Sequence, residues 1–195
     1  MFKKLINLIF GTKFEGVVDL SPAEEPIQDQ PKPKGVIKPY SISEQGIALI
    51  KQWEGCKLTA YKDGGGVWTI GYGIIANVKP GLVITQEKAE LLLKEYLKKQ
   101  DEELNNILKD VDLLSQEQYD AISSFVYNIG ISRFAKSSFL KFIKEYDWAK
   151  AANQLVRRDS KGIYHGWIYD NGKKISGLIN RRKAEKELFL RGSVV

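Results

Sequence analysis

Five of the six prolines fall between residues 22 and 39. Each proline removes a backbone donor and pushes its predecessor out of the helical region, so this stretch cannot join a regular packed element. Its centre, Glu24-Glu25-Pro26-Ile27-Gln28-Asp29-Gln30-Pro31-Lys32-Pro33-Lys34, is mixed in charge and poor in large apolar residues, the composition of a linker. The chain therefore divides into a short arm at residues 1–13, a linker at 14–40 and one packed domain at 41–195. In the arm, Lys3 and Lys4 precede a short apolar run broken by Asn7. A spanning helix needs about 20 apolar residues and a signal core about 7–15. The run suits a short interfacial helix or a frayed segment better than a signal, with weak contact to a membrane surface.

Composition narrows the classes. With 43% apolar and 28% charged residues, the domain can bury a core and is not a disordered chain. Cys56 has no partner for an intrachain disulfide, and one cysteine beside one histidine cannot build a zinc site. No metal or organic cofactor is expected. The net charge of +6 suits an anionic partner such as nucleic acid, a membrane surface or an acidic wall polymer. Six of the 30 basic and five of the 24 acidic residues precede residue 41, which leaves +5 for the domain. That charge is mild and interleaved with acids. There is no nucleic-acid motif, and the glycine-rich turn lacks a P-loop lysine.

The domain opens with Ser41-Ile42-Ser43-Glu44, which reads as a capping box. The helix behind it sets Ile47, Ile50 and Glu54 on one stripe and stops at Gly55. Residues 58–72 read as short strands around an Asp63-Gly64-Gly65-Gly66 turn. Trp68, Ile70 and Tyr72 share one face, and Thr69 lies opposite beside Gly71, where space for a ligand is expected. Thr85 caps a long helix with the stripe Ala89, Leu93, Leu97, Leu104 and Leu108. Ser115 and Gln118 form a second capping box, followed by Tyr119, Ile122, Val126 and Ile129. Further helices are expected over 138–146, 148–156 and 178–190. Residues 160–176 read as a loop or small hairpin.

Glu54 and Asp63 are candidates for paired acid and base work. A carboxyl against apolar walls keeps its proton, and one in a polar turn loses it. Glycoside hydrolysis uses such a pair. Two acids nine apart are by themselves a weak signal.

The wider pattern is more specific. Trp53-Glu54-Gly55, Thr59-Ala60-Tyr61-Lys62-Asp63 and Trp68-Thr69-Ile70-Gly71-Tyr72-Gly73 place Glu54, eight residues, Asp63, five residues and Thr69 in order. Downstream stand Phe125-Val126-Tyr127-Asn128-Ile129-Gly130 and Gly177-Leu178-Ile179-Asn180-Arg181-Arg182. Together they resemble the phage-type lysozymes, glycoside hydrolase family 24, over residues 41–192. The resemblance implies an α+β fold with a small β-hairpin lobe, a mostly helical lobe and an active-site cleft between them. It implies Glu54 as proton donor, Asp63 as stabiliser of the developing cation and Thr69 as holder of the attacking water. By the same resemblance Asn128, Tyr127, Asn180 and Arg181 contribute to substrate binding, with Arg181 beside Glu54. For Arg181 and Arg182 the alternative is a solvated helix start. Tyr72, Tyr127 and Trp167 either stack on sugar rings or fill the core. Ile74 stands where the family usually has a histidine, so an ion pair found in relatives is expected to be missing.

The implied substrate is peptidoglycan, cut at the β-1,4 bond between N-acetylmuramic acid and N-acetylglucosamine in host lysis. The implied protein is a monomer held in the host cytoplasm before release and acting on the cell wall, in the periplasm. Rival readings are a lytic transglycosylase, which needs neither Asp63 nor Thr69, and a basic wall- or nucleic-acid-binding module.

Overall fold

The computed structural model describes residues 38–170 and 172–192. The arm and residues 14–37 of the linker lie outside the described residues. Helix α1 (Glu44–Glu54) leads into a hairpin of β1 (Lys57–Lys62) and β2 (Trp68–Gly71). Then follow the long α2 (Gln86–Ile107), α3 (Gln116–Ile129), and the short α4 (Ile131–Ala135), α5 (Ser138–Lys144) and α6 (Trp148–Leu155). Two small hairpins, β3 (Val156–Arg158) with β4 (Tyr164–Gly166) and β5 (Tyr169–Asp170) with β6 (Lys173–Lys174), precede α7 (Ser176–Arg191). The architecture is α+β. Among the described residues no helix is long and apolar enough to cross a membrane.

Two apolar clusters share α2. Leu93 and Leu97 pack with Ile47, Ile50, Tyr72 and Ala89, joining α1 and the hairpin to the first half of α2. Leu104 and Leu108 belong to the larger cluster built on Phe125, Phe134, Phe139, Leu155 and Phe189. The heptad-like stripe on α2 thus feeds both lobes. Truncating either Leu93 or Leu97, each about fully buried, should cost about 2–5 kcal/mol.

Local signals set most helix ends. Thr85 accepts from the Lys88 amide. Ser115 and Gln118 form a complete capping box. Gly55 ends α1 at φ 65°, a conformation that favours glycine. The start of α1 differs from the expected capping box: the N-cap is Ser43, not Ser41. Asp120 of α3 accepts from the Ser43 amide at 2.9 Å and also from its hydroxyl. A tertiary carboxylate therefore fixes this cap. Packing also begins before residue 41. Tyr40, assigned above to the linker, is 2% exposed, stacks on Tyr119 at 5.3 Å and donates to the Val111 carbonyl.

The last helix starts at Ser176, two residues earlier than expected, and residues 156–174 form two hairpins where one loop or hairpin was expected. Helix α4 was not anticipated. Its N-cap, Gly130, has no side chain to cap with, and five residues are too few to show a period.

Candidate active site

Glu54 is the last residue of α1, and Gly55 turns the chain directly into the hairpin. The side chain is 21% exposed. Arg181, from the first turns of α7, donates Nη1 to Glu54 Oε1 at 2.6 Å. The other oxygen, Oε2, faces Gly73, where a Cβ would stand 3.7 Å from it and 4.0 Å from the Tyr127 hydroxyl. Gly73 has φ 98°, so its backbone suits glycine, and its missing side chain keeps that space clear. The setting differs from the apolar walls expected for Glu54. A guanidinium holds one oxygen, and the Tyr127 hydroxyl lies on the side that the other faces.

The Arg181 side chain is 5% exposed and is itself held on all sides. Its Nε donates to Glu185 Oε1 at 3.0 Å and its Nη2 to the Ser124 carbonyl at 3.1 Å. Ser124 Oγ donates to the same Glu185 oxygen at 2.9 Å. Arg182 donates Nη1 to Glu185 Oε2, Nη2 to Asn128 Oδ1 and Nε to the Trp167 carbonyl. Its guanidinium also lies 4.7 Å from the centre of the Phe125 ring. Arg182 is 1% exposed and Glu185 fully buried. The solvated helix start considered for these arginines is excluded. Burial weighs against the charge of Arg182, and Glu185 opposes that effect, as a paired ion must in a low-dielectric interior.

Tyr127 is half-buried on α3 and donates to the Tyr72 carbonyl at 2.7 Å. Burial raises its phenol pKa, and the charge of Glu54 raises it further. Burial likewise raises Tyr61 on β1, and Glu54 and Asp63 add to the shift. Tyr61 thus lies within the electrostatic reach of both acids. It is also the register partner of Thr69 across the hairpin.

Asp63 is exposed at the tip. Its Oδ1 accepts from the Gly65 amide at 2.9 Å and the Val67 amide at 2.8 Å. Thr69 donates its hydroxyl to the Val67 carbonyl at 3.1 Å. Thr69 is 3% exposed, and a Cβ at Gly71 would meet Ala89 at an ordinary contact distance of 3.4 Å, so the room expected there is narrow.

The other candidates divide by exposure. Asn128 is exposed on α3 and its carbonyl oxygen is taken by Arg182. It lines a cavity of about 370 Å³ with Arg133, Trp167, Tyr169 and Leu178. Asn180 is exposed on the second turn of α7 and does not line that cavity. Tyr72 is 5% exposed and belongs to the smaller core. Trp167 packs edge-on against Phe125 at 5.5 Å. Ile74 is 7% exposed, and its backbone pairs with Ile70 at 2.9 and 3.0 Å. It makes an apolar contact where a histidine would bring a titratable group. Among the described residues no cluster of three or more His, Cys, Asp or Glu is placed to hold a metal ion.

Glu185, Ser124 and Tyr61 were not singled out from the sequence. The signal for Glu185 was present: it stands four residues after Arg181 and three after Arg182, the spacings that put side chains on one helical face.

The chain is similar to known phage lysozymes along most of its length. The family model for phage lysozyme matches residues 51–185. An endolysin of Acyrthosiphon pisum secondary endosymbiont phage 1 is 42% identical over 150 residues, which are 76% of this chain and 97% of that protein. An endolysin of Bacillus phage B103 is 37% identical over 155 residues, 78% of this chain, but the match spans only 55% of that longer relative. Among solved structures, the muramidase domain of SpmX from Asticaccaulis excentricus superposes with a TM-score of 0.64 at 34% identity, covering 77% of this chain and 98% of that one. The family match covers well over half of the chain and runs from the helix that ends in Glu54 to the glutamate that anchors Arg181, so the protein belongs to the phage lysozyme family.

Proposed function

We propose that Glu54 is the general acid of a muramidase that acts on the cell-wall glycan. The protein is a glycoside hydrolase of peptidoglycan, and the reaction is cleavage of the β-1,4 bond between N-acetylmuramic acid and N-acetylglucosamine. The observation that carries the assignment is the division of labour between the two oxygens of Glu54. Oε1 is held by Arg181. Oε2 faces Gly73, which brings no side chain of its own into the space between them. A proton on Oε2 is thereby aimed at a leaving oxygen in that space. Donation of such a proton is worth about 10²–10⁴-fold in rate.

Asp63 opposes the charge of the oxocarbenium-like transition state. Two backbone amides fix its Oδ1, and its exposed position lets it face a sugar ring laid along the hairpin. Thr69 orients the attacking water. Its hydroxyl donates to the Val67 carbonyl, so its lone pairs can accept from that water. Water on the face opposite the leaving group corresponds to the inverting pattern. Asn128, Tyr127, Asn180 and Arg181 form the binding wall. The net charge of +6 favours an anionic wall. The protein works as a monomer, waits in the host cytoplasm, and reaches the wall during lysis, with residues 1–13 making at most weak membrane contact.

The test is digestion of purified peptidoglycan with mass and NMR analysis of the products. Reducing muramic ends released first as the α-anomer are expected. Anhydro-muramic ends would mean a lytic transglycosylase, and a β-anomer would mean retention.

A further inference from the structure

Among the described residues two acids are fully buried, Asp120 and Glu185, each at 0% exposed, and Glu185 is the one joined to the site. Solvent does not reach it, yet both of its oxygens are committed. Oε1 accepts from Arg181 Nε at 3.0 Å and Ser124 Oγ at 2.9 Å, and Oε2 accepts from Arg182 Nη1. Burying a carboxylate this fully is costly unless every lone pair is used. Here all its partners belong to the group behind Glu54.

Through these partners Glu185 reaches both sides of the site. On one side, Arg181 spans from Glu185 to Glu54 Oε1. On the other, Arg182 spans from Glu185 to Asn128 Oδ1. Arginine has donors only, so the Asn128 oxygen must face it, and the Asn128 NH₂ is turned away as a donor. One buried carboxylate therefore fixes the guanidinium that holds the acid and the guanidinium that sets the amide of the binding wall.

Its charge matters as well as its shape. Arg181 divides its positive charge between Glu185 and Glu54. Without the negative charge of Glu185, two buried guanidinium groups would face Glu54 as the sole carboxylate in the group. The ionised form of Glu54 would be favoured, and an ionised carboxylate has no proton to give.

We propose that Glu185 is a positioning residue for the proton donor, holding Arg181 in place and balancing its charge beside Glu54. The proposal rests on the reading of Glu54 as general acid. The other ionisable groups facing Glu54 are Arg182 from α7, Tyr127 from α3, Tyr96 from α2 and Tyr61 from β1. The tyrosines all have raised pKa values, so they stay neutral across the range in which a carboxyl titrates.

The test uses the full chain with Glu185→Gln and, separately, Ser124→Ala. Glutamine retains the size and one acceptor but removes the charge. Kinetics on soluble glycan fragments are read as kcat and KM against pH. For Glu185→Gln, the basic limb of kcat should move toward acid by about one pH unit. At the wild-type optimum kcat should fall about tenfold, with a smaller change in KM from the loosened Asn128 amide. Ser124→Ala loosens Glu185 without removing it and should move the limb in the same direction by less. A folded Glu185→Gln protein with its basic limb unmoved would overturn the proposal. If Glu185→Gln does not fold, an unmoved limb in Ser124→Ala overturns it instead. Failure of the underlying reading is seen separately, as residual activity in Glu54→Gln at any pH.

Discussion

The two acids of the site are held by opposite means. Glu54 is fixed by Arg181, which is 127 positions away in the chain, and Arg181 is fixed by Glu185 and Ser124 inside the helical lobe. Asp63 is fixed by the amides of Gly65 and Val67 in its own turn, at the exposed end of a hairpin. One acid depends on tertiary packing of three helices, and the other needs only a few adjacent residues. The proton donor needs a set electrostatic environment, which a buried network can supply. A carboxylate that stabilises a passing cation needs mainly its charge and an open approach, which a tip supplies.

The contrast can be tested by cutting each support. The largest stability loss should follow Arg182→Ala, which leaves Glu185 buried with one cationic partner fewer and removes the group lying over Phe125. Breaking a buried pair in this way costs about 3–5 kcal/mol, to be read from denaturant unfolding. Asp63→Asn should leave unfolding nearly unchanged, since asparagine still accepts from Gly65 and Val67. Its rate should fall about 10²–10³-fold, as when a group aimed at transition-state charge is removed. A large stability loss in Asp63→Asn would mean that the hairpin tip is more than a local turn.

Gly73→Ala should have a smaller effect, about 1 kcal/mol in stability from the left-handed backbone. A reduced kcat should accompany it, because the new methyl stands beside Glu54 Oε2. The smallest change belongs to Lys94→Ala, which removes an exposed pair with Glu44 at 3.1 Å. Such pairs contribute about 0.2–1 kcal/mol, and the rate should not move.

The same division explains what could be read from the sequence. Asp63 in its glycine turn, Thr85 and Ser115 as caps, and the stripe from Ala89 to Leu108 are local patterns, and each appears at its expected position. The start of α1 was displaced from Ser41 to Ser43 because Asp120, on a distant helix, holds Ser43. Tyr40 falls in the linker by sequence because a run of prolines ends just before it at Pro39, although its ring stacks on Tyr119. The room beside Thr69 followed from strand alternation alone, which does not show that Ala89 approaches the neighbouring Gly71. At the site, the resemblance placed Arg181 beside Glu54, but Glu185 went unnoticed. Its spacing from the arginines is visible, yet an i, i+4 pair on a helix is ordinarily a solvated one. Burial of the pair depends on α3 and α7 packing together, and no short window of sequence records that.

The central claim is that Glu54 gives the proton. Its direct measurement is the rate of peptidoglycan cleavage by purified Glu54→Gln beside its melting curve and its binding to isolated walls. Glutamine keeps the reach of the side chain and can still accept from Arg181, but it has no acidic proton. Cleavage should fall by at least about 10³-fold, with the melting temperature and wall binding close to wild type. A Glu54→Gln protein that melts normally and still cleaves within about tenfold of wild type would contradict the account.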